Sequence, residues 1–183
     1  QADATLTLSG EGTHMLAFAS NQQVNELPGD QFSRYALHEG LTLPLAARKA
    51  KGTTLSSGRE LYSRRAKALV QVGNQPSDTV SSPIGQTLEI VPDRNPYLLK
   101  SGQPLRVVIW FHGEPLPGAS VVMERLAAGV AQATPVVTDS RGRVSWPLPS
   151  SGDWKINVVW SYPIRDKRAD YETIFCSLTF GLP

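Results

Sequence analysis

The fold is decided by residues 101–159, which read SGQPLRVVIWFHGEPLPGASVVMERLAAGVAQATPVVTDSRGRVSWPLPSSGDWKINVV. At the end of this stretch, apolar Trp154, Ile156 and Val158 alternate with polar residues. Alternation with a period of two predicts a strand that has one buried face. Glycine, proline and aspartate separate this strand from the β-rich runs before it. The stretch therefore predicts an antiparallel β-sandwich.

Three short segments supply the predicted connections: Gly113–Gly118, Asp139–Arg143 and Pro149–Asp153. Glycine accepts the positive φ that a tight turn requires, so we expect hairpin-like turns in the second and third segments. Two prolines stiffen the first segment, where no ladder donors are needed. We expect that segment to form a loop at one end of the sandwich.

The composition supports a β-rich, globular chain. It has 183 residues, of which 40% are hydrophobic, and this is enough for a core. Fifteen glycines and fourteen prolines between short apolar runs favour an all-β architecture over a helical bundle. The net charge is only +2, so we expect no nucleic-acid partner. No apolar run reaches the roughly 18 residues of a membrane span, so we expect no transmembrane segment.

The first part of the chain mixes strands with a helical insert. Thr5–Leu8 and His14–Ser20 are predicted strands joined by a glycine turn. Helical spacing of apolar residues, with a glycine after each segment, predicts two short helices within residues 28–51. A further strand follows, with Tyr62, Ala66, Ala68, Val70 and Val72 on one predicted buried face. Arg64 falls on the same face, which the alternation does not explain.

Residues 74–85 (NQPSDTVSSPIG) are polar and rich in turn formers, so they are the predicted linker. We therefore expect a partial β domain over 1–73 and an Ig-like or transthyretin-like antiparallel sandwich over 86–183. A first domain that lacks upstream strands would leave apolar edges exposed. Such edges predict association into a homo-oligomer.

Five segments together resemble one family: Glu60–Gly73 (ELYSRRAKALVQVG), Leu88–Leu99 (LEIVPDRNPYLL), Gly113–Ala119 (GEPLPGA), Thr138–Val144 (TDSRGRV) and Ala169–Leu182 (ADYETIFCSLTFGL). The chain resembles the DUF4198 family, which is also labelled NikM-like or nickel-uptake-associated. The helical insert is similar as well. The GEPLPGA and TDSRGRV pieces also occur in transthyretin-like and carboxypeptidase-regulatory-like sandwiches, where they mark turns.

The resemblance implies a secreted or periplasmic bacterial protein built from β-sandwich domains and linked to nickel or cobalt uptake. It implies a membrane transporter or another cell-envelope component as the partner. Relatives often carry a histidine where this chain has Trp160, and usually have a histidine-bearing segment at the start of the mature chain that is absent here. The Asp-Trp-Glu of many relatives is here Asp170-Tyr171-Glu172.

Candidate metal ligands are few. A transition-metal site needs several imidazole, thiolate or carboxylate groups that converge on the ion. None of the three histidines is paired at a spacing typical of a metal site, and His14 and His112 are the weak candidates. We expect no cofactor other than a divalent metal, nickel or cobalt. Cys176 lies on the apolar face of the last strand, which predicts a buried, inert thiol.

Aromatic and acidic residues near the predicted turns are the candidate ligand-binding residues. They are Trp146, Tyr162, Asp170, Tyr171 and Glu172. Aromatic rings give a large contact area at low entropic cost. Asp166, Asp170 and Glu172 also offer oxygen ligands for a cation such as calcium. Basic residues lie between Asp166 and Asp170, and local ion pairing is therefore the simpler interpretation.

These observations predict a non-enzymatic binding or accessory module. We expect no enzyme, because the chain has no nucleophile elbow, no HExxH motif, no phosphate-binding glycine loop and no CxxC pair. The alternative is a structural or adhesive cell-surface domain that recognises protein or glycan. A hydrolase of cell-wall glycan is a distant third hypothesis, since it would need two carboxylates across a cleft.

Overall fold

The computed structural model describes residues 5–127 and 133–183; residues 1–4 and 128–132, which include the start of the predicted first domain, lie outside the described residues. The elements follow in the order β1 (Gly12–Ala19), β2 (Gln23–Leu27), α1 (Gly29–His38), α2 (Thr42–Lys51), β3 (Gly58–Val72), β4 (Leu88–Pro92), β5 (Pro104–Phe111), β6 (Glu114–Pro115), β7 (Ser120–Arg125), β8 (Val136–Val137), β9 (Arg143–Pro147), β10 (Gly152–Pro163) and β11 (Tyr171–Leu182). The helical insert is confirmed. Within the described ranges, no helix has the length and apolar character needed to cross a bilayer.

The described strands form two sheets. The larger has the order β1-β3-β11-β10-β7-β8, with β2 also paired to β3. The smaller has the order β4-β5-β6, with β9 also paired to β5. One apolar core contains buried side chains from both sheets. The predicted mainly β sandwich is confirmed.

The core lies where the alternation of β10 predicts it. Ile156 and Val158 are fully buried, and Trp154 and Trp160 pack partly buried against the same core. Cys176 of β11 pairs in register with Val158 and is buried as well. Burial of such apolar rows from facing sheets is the main stabilising contribution in this architecture.

The long strand β3 lies between β1, near the start of the chain, and β11, near its end. It pairs in parallel with β11, with Tyr62 beside Thr173 and Ala66 beside Ser177. The other pairings of both sheets are antiparallel in the described chain. The larger sheet thus contains strands from both sides of residues 74–85. The division of the chain into domains at that segment stays a prediction.

The predicted buried face of β3 is wrong. The face toward the core carries Leu61, Ser63, Lys67 and Leu69, which are all buried. The alternation was misleading because a charged residue, Lys67, lies on the buried face and pairs with Glu89 of β4. The strand predicted at residues 5–8 is also wrong, since the first strand begins at Gly12.

The helical insert covers the outer face of the larger sheet at one end. Phe32, Ala36 and Leu41 form a second buried cluster with Val159 of β10 and Tyr171 of β11. The helix α1 and the first residue of β3 pack very closely here. The Phe32 ring occupies the space where a Cβ on Gly58 would lie, so only glycine fits at that position.

Candidate functional site

Tyr162 and Glu172 meet at the end of the sandwich where β10 ends and β11 begins. They are direct cross-strand partners in the β10–β11 register. The Tyr162 hydroxyl donates a hydrogen bond of 2.6 Å to Oε2 of Glu172. Nε2 of Gln22, from the short connection between β1 and β2, donates a bond of 2.8 Å to Oε1. Both carboxylate oxygens are therefore held, and the carboxylate has a fixed orientation.

The environment of Tyr162 keeps its hydroxyl protonated. Burial raises the pKa of Tyr162, and the hydrogen bond and negative charge of Glu172 raise it further. The hydroxyl is thus a stable donor at neutral pH. Its hydrogen bond orients the Glu172 side chain.

Aromatic rings from the facing sheet complete this end. Phe111, the last residue of β5, packs edge-on against Tyr162 with ring centroids 5.4 Å apart and against Trp160 at 6.3 Å. The His112 ring lies 4.3 Å from the Phe111 ring. We call this set the aromatic rim, and its members are Gln22, Phe111, His112, Trp160, Tyr162 and Glu172.

A tight hairpin turn places His112 at the rim. Phe111 pairs with Glu114, so His112 and Gly113 are the two residues of the connection. Both have positive φ, 51° for His112 and 81° for Gly113, as a type I′ turn requires. Among the described residues other than glycine, His112 alone has positive φ. Its side chain is exposed at the rim.

A cavity of about 380 Å³ opens beside His112. Pro83, Gln86, Trp110 and Glu89 contribute to its lining. Glu89 accepts hydrogen bonds from the backbone N–H groups of residues 84, 85 and 86, at 2.7, 3.1 and 3.1 Å. It also pairs with Lys67 at 2.9 Å. The Glu89 carboxylate therefore fixes the backbone of residues 84–86, which forms one wall of the cavity.

Asp170 and Tyr171 do not belong to the rim. Asp170 pairs with Arg59 at 3.0 Å. Burial acts to raise the pKa of Asp170, but hydrogen bonds and charge from Arg59 outweigh it, and the net pKa is lowered. Tyr171 is buried and stacks on Phe32 with ring centroids 5.3 Å apart. Local ion pairing also accounts for Asp166, which binds Arg168 at 2.9 Å.

Trp146 lies far from the rim on the smaller sheet. It belongs to β9 and pairs with Leu105, six residues before Phe111 along β5. That spacing corresponds to about 20 Å of extended strand. The side chain is partly buried against the core. The structure therefore brings together only Tyr162 and Glu172 of the five predicted ligand-binding residues.

The two candidate metal ligands lie at different ends of the sandwich. His14 of β1 pairs with Val70 of β3, whereas Glu172 pairs with Leu61 of the same strand. Nine residues of β3 separate these positions, about 30 Å along the sheet. The His14 ring nitrogen Nε2 lies 3.1 Å from the carbonyl oxygen of Gly10. In residues 5–127 and 133–183, no three His, Cys, Asp or Glu residues form a group that could hold a metal ion.

A larger groove of about 780 Å³ lies at the other end of the sandwich. Tyr97, Leu99, Leu148 and Leu182 form an apolar part of its lining, which also contains polar residues such as Asn74 and Asp153. The Tyr97 hydroxyl donates to the carbonyl oxygen of Leu69 at 3.0 Å. The Tyr97 hydroxyl is thus already hydrogen-bonded within the protein.

Three members of the rim, Gln22, Phe111 and Trp160, are not among the site residues predicted from the sequence. Gln22 lies in the short connection between β1 and β2, and nothing in its local sequence marks it as a partner of Glu172, 150 residues away. Phe111 is the last residue of the apolar run of β5 and is indistinguishable there from a core residue. Its position beside His112, at the end of the strand, was the available signal.

Comparison with known proteins gives a family. No curated protein and no solved structure matches the chain. A family profile matches residues 1–162, which include both helices, the strands β1 to β9 and the strand β10 up to Tyr162, but not β11. This match covers most of the chain and agrees with the resemblance seen in the sequence. The chain therefore belongs to the family described as Domain of unknown function (DUF4198).

Proposed function

We propose that this chain is a non-enzymatic accessory module of the cell envelope, periplasmic or secreted, that contacts a membrane transporter or another envelope component through the aromatic rim. The observation that carries the proposal is the convergence of Tyr162 and Glu172 from one sheet with Phe111 and His112 from the other. Aromatic side chains are the typical anchors of protein interfaces.

The geometry of the rim suits recognition. The Tyr162 ring is held by its bond to Glu172 and by the Phe111 ring, so little side-chain entropy remains to be lost on binding. His112 stands exposed beside these rings on a two-residue turn. A partner would thus meet a preorganised aromatic surface with an imidazole donor or acceptor at its edge.

The implied nickel or cobalt does not fit the described residues as a bound ion. His14 and His112 lie at different ends, and His112 has the Phe111 ring rather than a second ligand as its neighbour. We therefore assign no metal-binding step to these residues, and the proposed link to metal uptake operates through the partner. Calorimetric titration with nickel and cobalt at neutral pH tests this part. Saturable binding of one ion per chain would contradict it.

Photocrosslinking in the producing cell tests the proposed contact. A photoreactive amino acid at exposed Glu114, next to the His112-Gly113 turn, reports on the rim, and one at exposed Ser150 reports on the other end. We expect Glu114 to crosslink to an envelope or membrane protein and Ser150 not to do so. His112→Ala should reduce the yield at Glu114.

Two results would overturn the proposal. One is an equal yield of the same product from Glu114 and Ser150, which would show contact without preference for the rim. The other is a product at Glu114 that contains glycan or a surface adhesin, which would favour the structural or adhesive role instead.

A further inference from the structure

The strand β1 forms an open edge of the larger sheet. At the end of its ladder with β3, the Ser20 N–H donates to the Arg64 carbonyl oxygen at 3.0 Å. Hydrogen-bonded and non-hydrogen-bonded pairs alternate along an antiparallel ladder. The even-numbered residues of β1 therefore bond to β3, and Met15, Ala17 and Ala19 direct their N–H and C=O groups to the open side.

The hydrogen bonds of Thr13 confirm that the odd-numbered residues face away from β3, and they show where the open edge begins. The Thr13 N–H donates to Oγ of Ser77 at 3.0 Å, and its carbonyl oxygen accepts from the same hydroxyl at 3.3 Å. The segment after β3 thus closes the edge at Thr13, and it returns to β1 at Phe18, whose carbonyl oxygen accepts a hydrogen bond from Nε2 of Gln86 at 3.0 Å. Beyond Thr13, Ala17, Phe18 and Ala19 are exposed, and 56% of Phe18 is accessible.

The chemistry of this edge favours pairing with another strand. Gly12–Ala19 contains no Lys, Arg, Asp, Glu or Pro, the residues that commonly block edge-to-edge association. The edge strand on the opposite side, β8, has only two residues. The open segment of β1 runs from residue 15 to residue 19, so its centre is Ala17.

We propose that a second copy of this chain pairs with β1 in antiparallel orientation, about a twofold axis at Ala17. This register places Ala17 opposite Ala17 and Met15 opposite Ala19 of the other copy. Three such pairs exchange about six N–H···O bonds. Leu16 then faces Phe18 of the other copy on the outer surface, within cross-strand contact distance.

Charges around the strand also favour this arrangement over a parallel one. Exposed Glu11 lies just before β1, and Arg64 and Arg65 flank its far end. An antiparallel twofold places the Glu11 end of each copy beside the arginine end of the other. A parallel pairing would bring like charges together at both ends. The proposal is independent of the aromatic rim and its partner.

Sedimentation over a range of concentrations tests the dimer. The wild-type chain should approach twice the monomer mass as its concentration rises. Ala17→Pro should keep the chain monomeric, because proline removes the central donor. It should still fold, since the Ala17 N–H is not used in the ladder with β3. Val137→Lys, on the opposite edge, is the matched control and should dimerise like the wild type.

Cysteine crosslinking tests the register. Hydrogen-bonded partners in an antiparallel pair have Cα atoms about 5.5 Å apart, within the range of a disulfide. Under mild oxidation Ala17→Cys should therefore give a covalent dimer, and Phe18→Cys, which faces Leu16 rather than itself, should not. The native Cys176 is buried and should not interfere. Monomeric wild type at all concentrations, or equal crosslinking of both variants, would overturn the proposal.

Discussion

The ammonium group of Lys67 lies 2.9 Å from Oε1 of Glu89, and both side chains are buried. Lys67 comes from β3 of the larger sheet and Glu89 from β4 of the smaller one. Glu89 also accepts three backbone N–H groups from residues 84–86. This ion pair therefore joins the two layers and fixes the segment that forms one wall of the cavity beside His112.

Removing one partner of this ion pair should destabilise the protein strongly. Lys67→Met leaves the Glu89 carboxylate buried without its cation, and the expected loss in the free energy of unfolding is about 3–5 kcal/mol. In the double variant Lys67→Met/Glu89→Gln no charge remains, and the Gln oxygen still accepts a backbone N–H. Urea denaturation should show the double variant to be more stable than Lys67→Met. A double variant that is no more stable than Lys67→Met would contradict this account of the pair.

Arg48 should matter to stability although it lies in a helix turn rich in basic residues. Its guanidinium is buried, donates to the carbonyl oxygens of Ser56, Thr54 and Ser57, and lies 4.8 Å from the centre of the Phe32 ring. Lysine cannot reproduce this planar set of donors. We expect Arg48→Lys to lower the free energy of unfolding by about 2–3 kcal/mol.

Lys49→Ala is the matched control for Arg48, because Lys49 is exposed on the same helix. Its effect should stay within about 0.5 kcal/mol. A loss in Arg48→Lys no larger than that in Lys49→Ala would contradict the stabilising role of the carbonyl contacts of Arg48.

The Arg59–Asp170 pair predicts a pH-dependent contribution to stability. The folded-state pKa of Asp170 is lowered, so the stabilisation is present above the ordinary pKa of an aspartate, 3.8, and is lost as the pH falls through the lower folded value. Arg59→Gln should therefore be less stable than wild type at pH 6, and the difference should shrink as the pH falls below 3.8. A difference that is constant with pH would contradict this linkage.

Cys176 should be unreactive in the folded protein. Burial raises the pKa of its thiol to about 12, against a smaller opposing effect of Lys67. The thiolate is the reactive form, so a thiol reagent at pH 8 should modify Cys176 only after unfolding. The rate should rise sharply in denaturant. Rapid stoichiometric labelling of the native protein would show that the last strand opens readily.

Much of the fold follows from local patterns. The Trp154/Ile156/Val158 row, the two helices with their glycine stops and the burial of Cys176 all depend on residues close in sequence, and each was predicted correctly. Turn chemistry at Asp139–Arg143 also followed local rules, since Asp139 accepts from the N–H groups of residues 141 and 143.

The predictions that were wrong or missing concern contacts between residues that are far apart in the sequence. The buried face of β3 was misassigned because Lys67 is compensated by Glu89, which belongs to a different strand and sheet. Neither the sequence of β3 nor that of β11 alone indicates that these two strands pair in parallel. For the same reason, Tyr162 and Glu172 were identified as candidates, but Gln22 and Phe111, which hold them, were not.

The central claim is that β3 and β11 lie side by side in one sheet, because the rim, the buried ion pair and the open β1 edge all depend on that sheet. Interstrand nuclear Overhauser effects in the labelled protein test it most directly. We predict contacts between the backbones of Tyr62 and Thr173 and of Ala66 and Ser177, in parallel register. Their absence, with contacts confined to each side of residues 74–85, would contradict the account.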